Sequence, residues 1–280
     1  MTVAMPPSAY PPAQWRLIVH DAADGATNMA IDEAILSAVA EGLAPPALRL
    51  YAWSPPCLSL GRNQPLADVD LEACRAAGVE VVRRPTGGKA ILHTDELTYS
   101  IALAAGDPRA AADVMEGYRR LSEGLLAGLR RLGVDAGPAS HSDPWESEAG
   151  PACFEVPSNH EITAGGRKLA GSAQWRARGG VLQHGTIPIE GKIGRIVDYL
   201  ALTEVEREAL RLAVQARGCT LEQVLGRRVS FAETAQAVAV GFAGALNIAL
   251  VEAGLTAHER TRAAELRTEH YSCPAWIGRC

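Results

Sequence analysis

Lysine is almost missing from this chain. Of its 27 basic residues, three are lysines (Lys89, Lys168 and Lys192) and 24 are arginines. Arginine fills nearly every position where either cation would serve. The surviving lysines are therefore candidates for sites that need a primary amine, which can shift its pKa and exchange protons. Aromatic residues are few, at 5%, and much of the 48% apolar fraction is alanine, leucine and valine. With 21% charged residues, this composition excludes global disorder and suits a large core. There is no cationic excess either: the net charge is −5, unlike the basic balance of a dedicated nucleic-acid binder. The six cysteines, at 57, 74, 153, 219, 273 and 280, form no C-x-x-C pair and have no histidine at ligand spacing. That pattern argues against a structural zinc site, and it is too sparse for a disulfide scaffold, so a reducing cytoplasm is expected. No apolar run reaches the roughly 18 residues of a membrane span. Residues 1–14 are rich in proline and alanine and uncharged, which reads as a flexible tail rather than a targeting signal.

The remaining 15–280 read as one α+β domain, mainly helical from 191 onward. Trp15–His20 is expected as a first strand, and Asn28 as the cap of a helix running to about Glu41. Leu48–Trp53, Cys57–Leu60, Val79–Arg84, Ala90–His93 and Leu97–Leu103 read as strands. Leu71–Ala77 reads as a short helix. Val114–Leu132 reads as a longer one, with Leu121, Leu125, Leu129 and Leu132 on one stripe. Residues 135–152 read as a long loop. Glu161–Ala164, Leu169–Arg176 and Val181–Ile189 follow as strands separated by Gly-Gly turns. Capping boxes start helices at Thr203, Thr220 and Ser230, the last running to about Ala253.

Three segments carry candidate chemistry. Arg83-Arg84-Pro85-Thr86-Gly87-Gly88-Lys89-Ala90-Ile91-Leu92-His93 places two glycines between strands, where backbone can approach a ligand closely. Its spacing fits neither a phosphate-binding Walker loop nor a dinucleotide fingerprint. A plain glycine hairpin with a solvated basic flank, and a structural His93, fit equally well. In Gly165-Gly166-Arg167-Lys168-Leu169-Ala170-Gly171-Ser172-Ala173-Gln174 a lysine follows a tight turn, and small residues leave room along the strand. A surface hairpin lysine is the alternative. If the next strand pairs back, Gln183-His184-Gly185-Thr186 brings a second opening beside the first, although His184 could equally be a core residue. Cys153 ends the long loop. A lysine ammonium beside such a thiol holds it as thiolate, the nucleophilic form, while a buried inert cysteine is the alternative.

Taken together, these segments resemble the lipoate/octanoate transferase family, whose fold is shared with the biotin protein ligase catalytic module. The likeness rests on Asn28-Met29-Ala30-Ile31-Asp32-Glu33, on Arg83 to His93, on Gly166 to Gln174 and on Leu182 to Thr186. It implies mixed and antiparallel sheets flanked by helices. The Gly-Arg-Gly-Arg-type ATP loop of a biotin ligase is absent. Lipoate ligases carry Asn-Asp-Ile or Asn-Asp-Leu shortly before the lysine segment, where this chain has Asn159-His160-Glu161-Ile162. Cys153, fifteen positions before Lys168 in a Cys-Phe-x-x-Pro-Ser context, is similar to the octanoyl-[acyl carrier protein]:protein N-octanoyltransferases with an upstream cysteine.

The resemblance implies a two-step acyl transfer. Cys153 takes octanoyl from acyl carrier protein as a thioester. A lysine of a lipoyl domain, or of the glycine-cleavage H protein, then takes it as an amide. Lys168 is implied as electrostatic stabiliser or base. Arg84, Gly87, Gly88, His93, Gly171, Ser172, Ala173, His184 and Gly185 are implied as the acyl pocket. No cofactor, metal, nucleic acid or membrane is called for. The rival readings are an amidotransferase between carrier proteins, an ATP-dependent lipoate ligase, and a catalytically dead carrier-binding relative.

The scarcity of lysine generates a test. Lys168→Arg is expected to fold and to slow transfer by about 10²–10³-fold, the usual cost of losing one transition-state contact. Lys192→Arg, outside the matching segments, is expected to be nearly neutral. Transfer rates of the two purified variants check this.

Overall fold

The computed structural model describes residues 10–139, 151–152 and 161–279. Strand β1 (Ala13–Val19) leads into helix α1 (Gly25–Ala40), followed by β2 (Ala47–Tyr51) and β3 (Cys57–Leu60). Helix α2 (Leu71–Ala76) precedes β4 (Glu80–Arg83), β5 (Ile91–His93) and β6 (Glu96–Ala104). Helix α3 (Val114–Arg131) and β7 (Ala136–Pro138) come next, and then β8 (Ile162–Ala164), β9 (Arg167–Ala177) and β10 (Gly180–Pro188). The rest comprises α4 (Glu204–Arg217), α5 (Leu221–Leu225), α6 (Phe231–Ala245), β11 (Ile248–Glu252), α7 (Ala257–Leu266) and α8 (Pro274–Ile277). Among the described residues no helix is long and apolar enough to cross a membrane.

Eight strands form a mixed sheet in the order β11-β1-β2-β6-β10-β9-β8-β7, and β4-β3-β5 form a second, smaller sheet. The β11–β1 and β1–β2 pairs are parallel, and the remaining pairs of the large sheet are antiparallel. This is the α+β class that the sequence implied.

The centre of the large sheet is buried on both faces, and strand alternation sorts what each face holds. On β6, Leu97, Tyr99, Ile101 and Leu103 enter the core under α3 and α6, beside Leu121, Leu125, Leu129 and Phe242. The alternate residues Thr98, Ser100 and Ala102 are also buried, and Ala102 packs in the cluster around α1. A polar stripe is thus laid under a helix, and that stripe becomes part of the site.

Three local expectations are corrected. The α1 cap is Asp24, not Asn28: Asp24 is extended, and its carboxylate accepts from Thr27 N. Asn28 instead lies inside the helix, with its amide donating to the Ala23 and Ala52 carbonyls. The Ser230 helix stops at Ala245, well short of Ala253, because Asn247 takes φ 51° and turns the chain. Ile248–Glu252 then pairs with β1 as the parallel edge strand β11. Finally, β4 and β5 do not form a hairpin. Both pair with β3, so residues 84–90 are a crossover loop, and the flanking Arg83 and Arg84 are buried rather than solvated.

Helices α3 and α6 meet glycine to glycine. A Cβ on Gly241 would stand 2.2 Å from Gly128 N and 2.5 Å from Gly128 Cα. Gly241→Ala is expected to lower stability by about 1–3 kcal/mol through overpacking. Gly254→Ala, with nothing within 4 Å of the added carbon, should change it little. Urea denaturation midpoints check the difference.

Candidate active site

A cavity of about 390 Å³ opens where the small sheet meets the polar face of the large one. That volume lies in the range of small-molecule sites, roughly 300–1,000 Å³. All nine residues expected to bind the acyl group line it: Arg84, Gly87, Gly88, His93, Gly171, Ser172, Ala173, His184 and Gly185. The β9–β10 pairing explains one wall. It sets Ala173 opposite His184, Ser172 opposite Gly185 and Gly171 opposite Thr186, so the two small-residue openings coincide.

The facing wall is the 84–90 loop, held from below. Arg84 donates to the carbonyls of Ser59, Gly87 and Lys89. Arg83 donates to the Gly61 and Gln64 carbonyls and, across to the C-terminal segment, to that of Ile277. Arg84 therefore serves the backbone of this wall, while Arg83 ties the 61–64 segment beside it to the C-terminal segment. Gly88 has φ 94°, and a Cβ on Gly61 would meet the Gly88 carbonyl oxygen at 1.9 Å, so glycine is required at both places.

Of the two expected catalytic residues, Lys168 is fully buried, which overturns the surface-hairpin alternative. Its ammonium pairs with the Glu161 carboxylate. Glu161 lines the cavity, whereas Lys168 stands outside its lining. Cys153 lies outside the described residues. The residue bonded to it, Ala152, lines the cavity and bridges to Ala90.

Several site residues were not singled out from the sequence. Asp32, one turn after Asn28 on α1, is buried and receives Arg49 Nη1 at 2.7 Å, Tyr51 Oη at 2.8 Å and Ser100 Oγ at 2.7 Å. Its other neighbour is His184, whose Nδ1 is 3.3 Å away and whose Nε2 meets Thr86 Oγ1 at 2.7 Å. Burial alone would raise the Asp32 carboxyl, but the Arg49 guanidinium, aided by His184 and Ser100, holds it at about 2. Burial pushes the His184 imidazole down, against the opposing pull of Asp32. The hydroxyl of Thr186, in the cavity wall, is buried with no hydrogen-bond partner among the described residues. On the other side, His93 lies between Ser59 Oγ at 2.8 Å and Glu96 Oε1 at 2.5 Å. Trp53 stacks on His93 at 3.9 Å and donates its indole N–H to Thr98. The available signal was polar residues at fixed spacing in otherwise apolar elements: Asn28 and Asp32 in α1, and Ser59 in β3.

The lipoyl protein ligase A/B catalytic domain matches residues 24–243. The chain is 43% identical over 277 residues to the octanoyltransferase LipM of Moorella thermoacetica, covering 96% of this chain and 99% of that one. It is 43% identical over 269 residues to the octanoyltransferase LipM of Symbiobacterium thermophilum, with 94% and 97% covered. Among solved structures, a lipoate-protein ligase A bound with ATP matches with TM-score 0.79 and 26% identity, over 95% of this chain and 99% of the other. A T. acidophilum protein with bound lipoic acid matches with TM-score 0.78 and 25% identity, over 95% and 99%.

The buried network sets an acid limit on stability. His184 is depressed below its ordinary 6.5, so its contribution holds above that pH and fades as pH falls through the folded value. Asp32 is depressed from 3.8 to about 2, so its contribution is lost across that interval. Stability should therefore fall first below about pH 6.5 and again between about pH 4 and 2. Asp32→Asn, which strands the Arg49 charge, is expected to cost about 3–5 kcal/mol at pH 7, a gap that narrows below about pH 4. Denaturant titrations at stepped pH check both.

Proposed function

The chain belongs to the lipoyl protein ligase A/B catalytic-domain family, and from that premise we propose that it is an octanoyltransferase of protein lipoylation that works through a thioester on Cys153. The observation that carries this reading is where the cysteine segment departs and returns. Ala152 before it and Glu161 after it both line the one cavity that the double-glycine loop and the β9–β10 opening enclose. The four described cysteines, in contrast, stay out of that lining. Burial raises the Cys57 thiol well above its ordinary range and those of Cys74 and Cys219 to about 11, which suits inert packing.

In the first half-reaction the Cys153 sulfur attacks the octanoyl thioester of acyl carrier protein, and the carrier's thiol leaves. In the second, the ε-amine of a lysine on a lipoyl domain or H protein attacks the enzyme thioester, forming the octanoyl amide and freeing Cys153. The acyl tail lies between the glycine loop and the Gly171–Ala173 wall. Burial at ~0.8 kcal/mol per methylene gives an eight-carbon chain several kcal/mol of binding. The Thr186 hydroxyl offers that wall one hydrogen bond for a polar atom of the ligand. Lys168, with its charge set against Glu161, acts electrostatically on thiolate and oxyanion from behind the wall rather than as a lining group. A reducing compartment, which keeps Cys153 as a thiol, fits this chemistry.

Intact mass after mixing with octanoyl-acyl carrier protein, without nucleotide or magnesium, is the test. One octanoyl addition is expected on the wild type and none on folded Cys153→Ala. Addition that persists in the variant removes the assignment. Strict dependence on ATP with free octanoate or lipoate establishes a ligase instead. Transfer only from an octanoylated H protein establishes the amidotransferase.

A further inference from the structure

Of the three lysines, Lys168 is buried against Glu161, and Lys192 is exposed and outside the cavity lining. Lys89 stands in the cavity wall, and the chemistry above gives it no task. Burial orders that lining from floor to lip. Met29, Tyr51, Trp53 and Thr98 are buried, whereas Gly87 and Gly88 are exposed and Lys89 is half-buried. Lys89 therefore belongs to the mouth of the cavity.

Its backbone is fixed on both sides. Arg84 Nη2 donates to the Lys89 carbonyl at 2.7 Å, and the next residue, Ala90, donates its N–H to the Pro151 carbonyl at 3.0 Å. The ammonium has no such tether: among the described residues, no carboxylate pairs with it. The other two formal charges of the lining are engaged, Arg84 with backbone carbonyls and Glu161 with Lys168. The mouth thus holds one positioned cation whose charge is left for a visitor.

Which visitor comes close enough follows from the lengths of the reacting groups. An acyl carrier presents its acyl group on a long flexible arm, so its own surface charges stay away from the mouth. An acceptor lysine has only a four-carbon stem, so its neighbours in the acceptor chain must lie against the lip when the amine meets the acyl carbonyl. That amine arrives as an ammonium, its ordinary pKa being about 10.4. Two cations at one half-buried mouth repel, with less screening than in open water. A carboxylate beside the acceptor lysine offsets that repulsion and gives Lys89 a partner.

We propose that Lys89 selects acceptor proteins that carry an acidic residue next to the target lysine, by pairing with that carboxylate as the lysine enters the cavity. The assignment rests on acyl delivery to an acceptor lysine, as proposed above, and it holds whether or not the acyl group passes through Cys153. A rim charge acts on encounter, so Lys89 speeds productive association and leaves the chemical step alone.

The test measures kcat/KM for octanoyl transfer, at saturating octanoyl-acyl carrier protein, to a lipoyl domain made with Asp, Asn or Lys immediately before its target lysine, and in a second set immediately after it. In at least one set the wild type should prefer Asp to Asn and Asn to Lys, by about three- to tenfold per step at low salt, with kcat little changed and the spread shrinking at high salt. Lys89→Arg should keep that order and Lys89→Gln should flatten it. Lys89→Glu should reverse it, making the Lys-flanked domain the better acceptor. A wild type indifferent to flanking charge in both sets overturns the proposal, as does a Lys89→Gln variant that keeps the preference. Equal loss with every domain in Lys89→Gln and Lys89→Glu also overturns it, and assigns Lys89 to the donor or the acyl group instead. A wild type that modifies none of the domains overturns the acceptor-lysine reading itself.

Discussion

The buried contact between Arg49 and Asp32, 2.7 Å long and with both side chains wholly enclosed, is what the rest of the site depends on. A buried ion pair is weak as a source of net stability, because desolvation offsets most of its attraction. Its value here is placement. Arg49 also donates to Asn28 Oδ1 and to His20, so one guanidinium ties α1 and the end of β1 to β2. With Asp32 fixed, Tyr51, Ser100 and His184 each have a partner at one carboxylate. The polar groups of Tyr51, Ser100 and His184 can then be buried beneath a helix with their hydrogen bonds made.

From that anchor the site is built in two halves that face each other. The large sheet supplies small residues and His184. The small sheet supplies Ser59, His93 and the crossover loop, whose backbone is held by Arg84 from within. Arginine suits this work, since its five donors can satisfy several carbonyls at once and never lose charge. Lys168, by contrast, sets its compact ammonium against the Glu161 carboxylate.

How much was legible follows from range. The Gly-Gly turns at 165–166 and 179–180 are local signals, and the β8–β9 and β9–β10 hairpins followed from them. The Asp24 cap was missed because Asn28 offers the same chemistry four residues on. The edge strand β11 was missed because an alanine-rich helix reads on through Asn247 until parallel pairing with β1, over 230 residues away, decides otherwise. Pairing of that range leaves no periodic trace in its own segment.

The sequence alone determined which residue types were available for chemistry: three lysines, a cysteine shortly before one of them, two glycine-rich turns and a helix with polar residues at i and i+4. Those are choices of side chain, and they survive any rearrangement of the chain. Only the tertiary structure decided that β4 and β5 flank β3 instead of each other, that Arg83 and Arg84 face backbone instead of solvent, and that Ser59, His93 and Glu96 join into one chain. Hydrogen bonds and burial act over a few ångströms between groups that the sequence holds far apart, so their partners exist only once the sheets have closed.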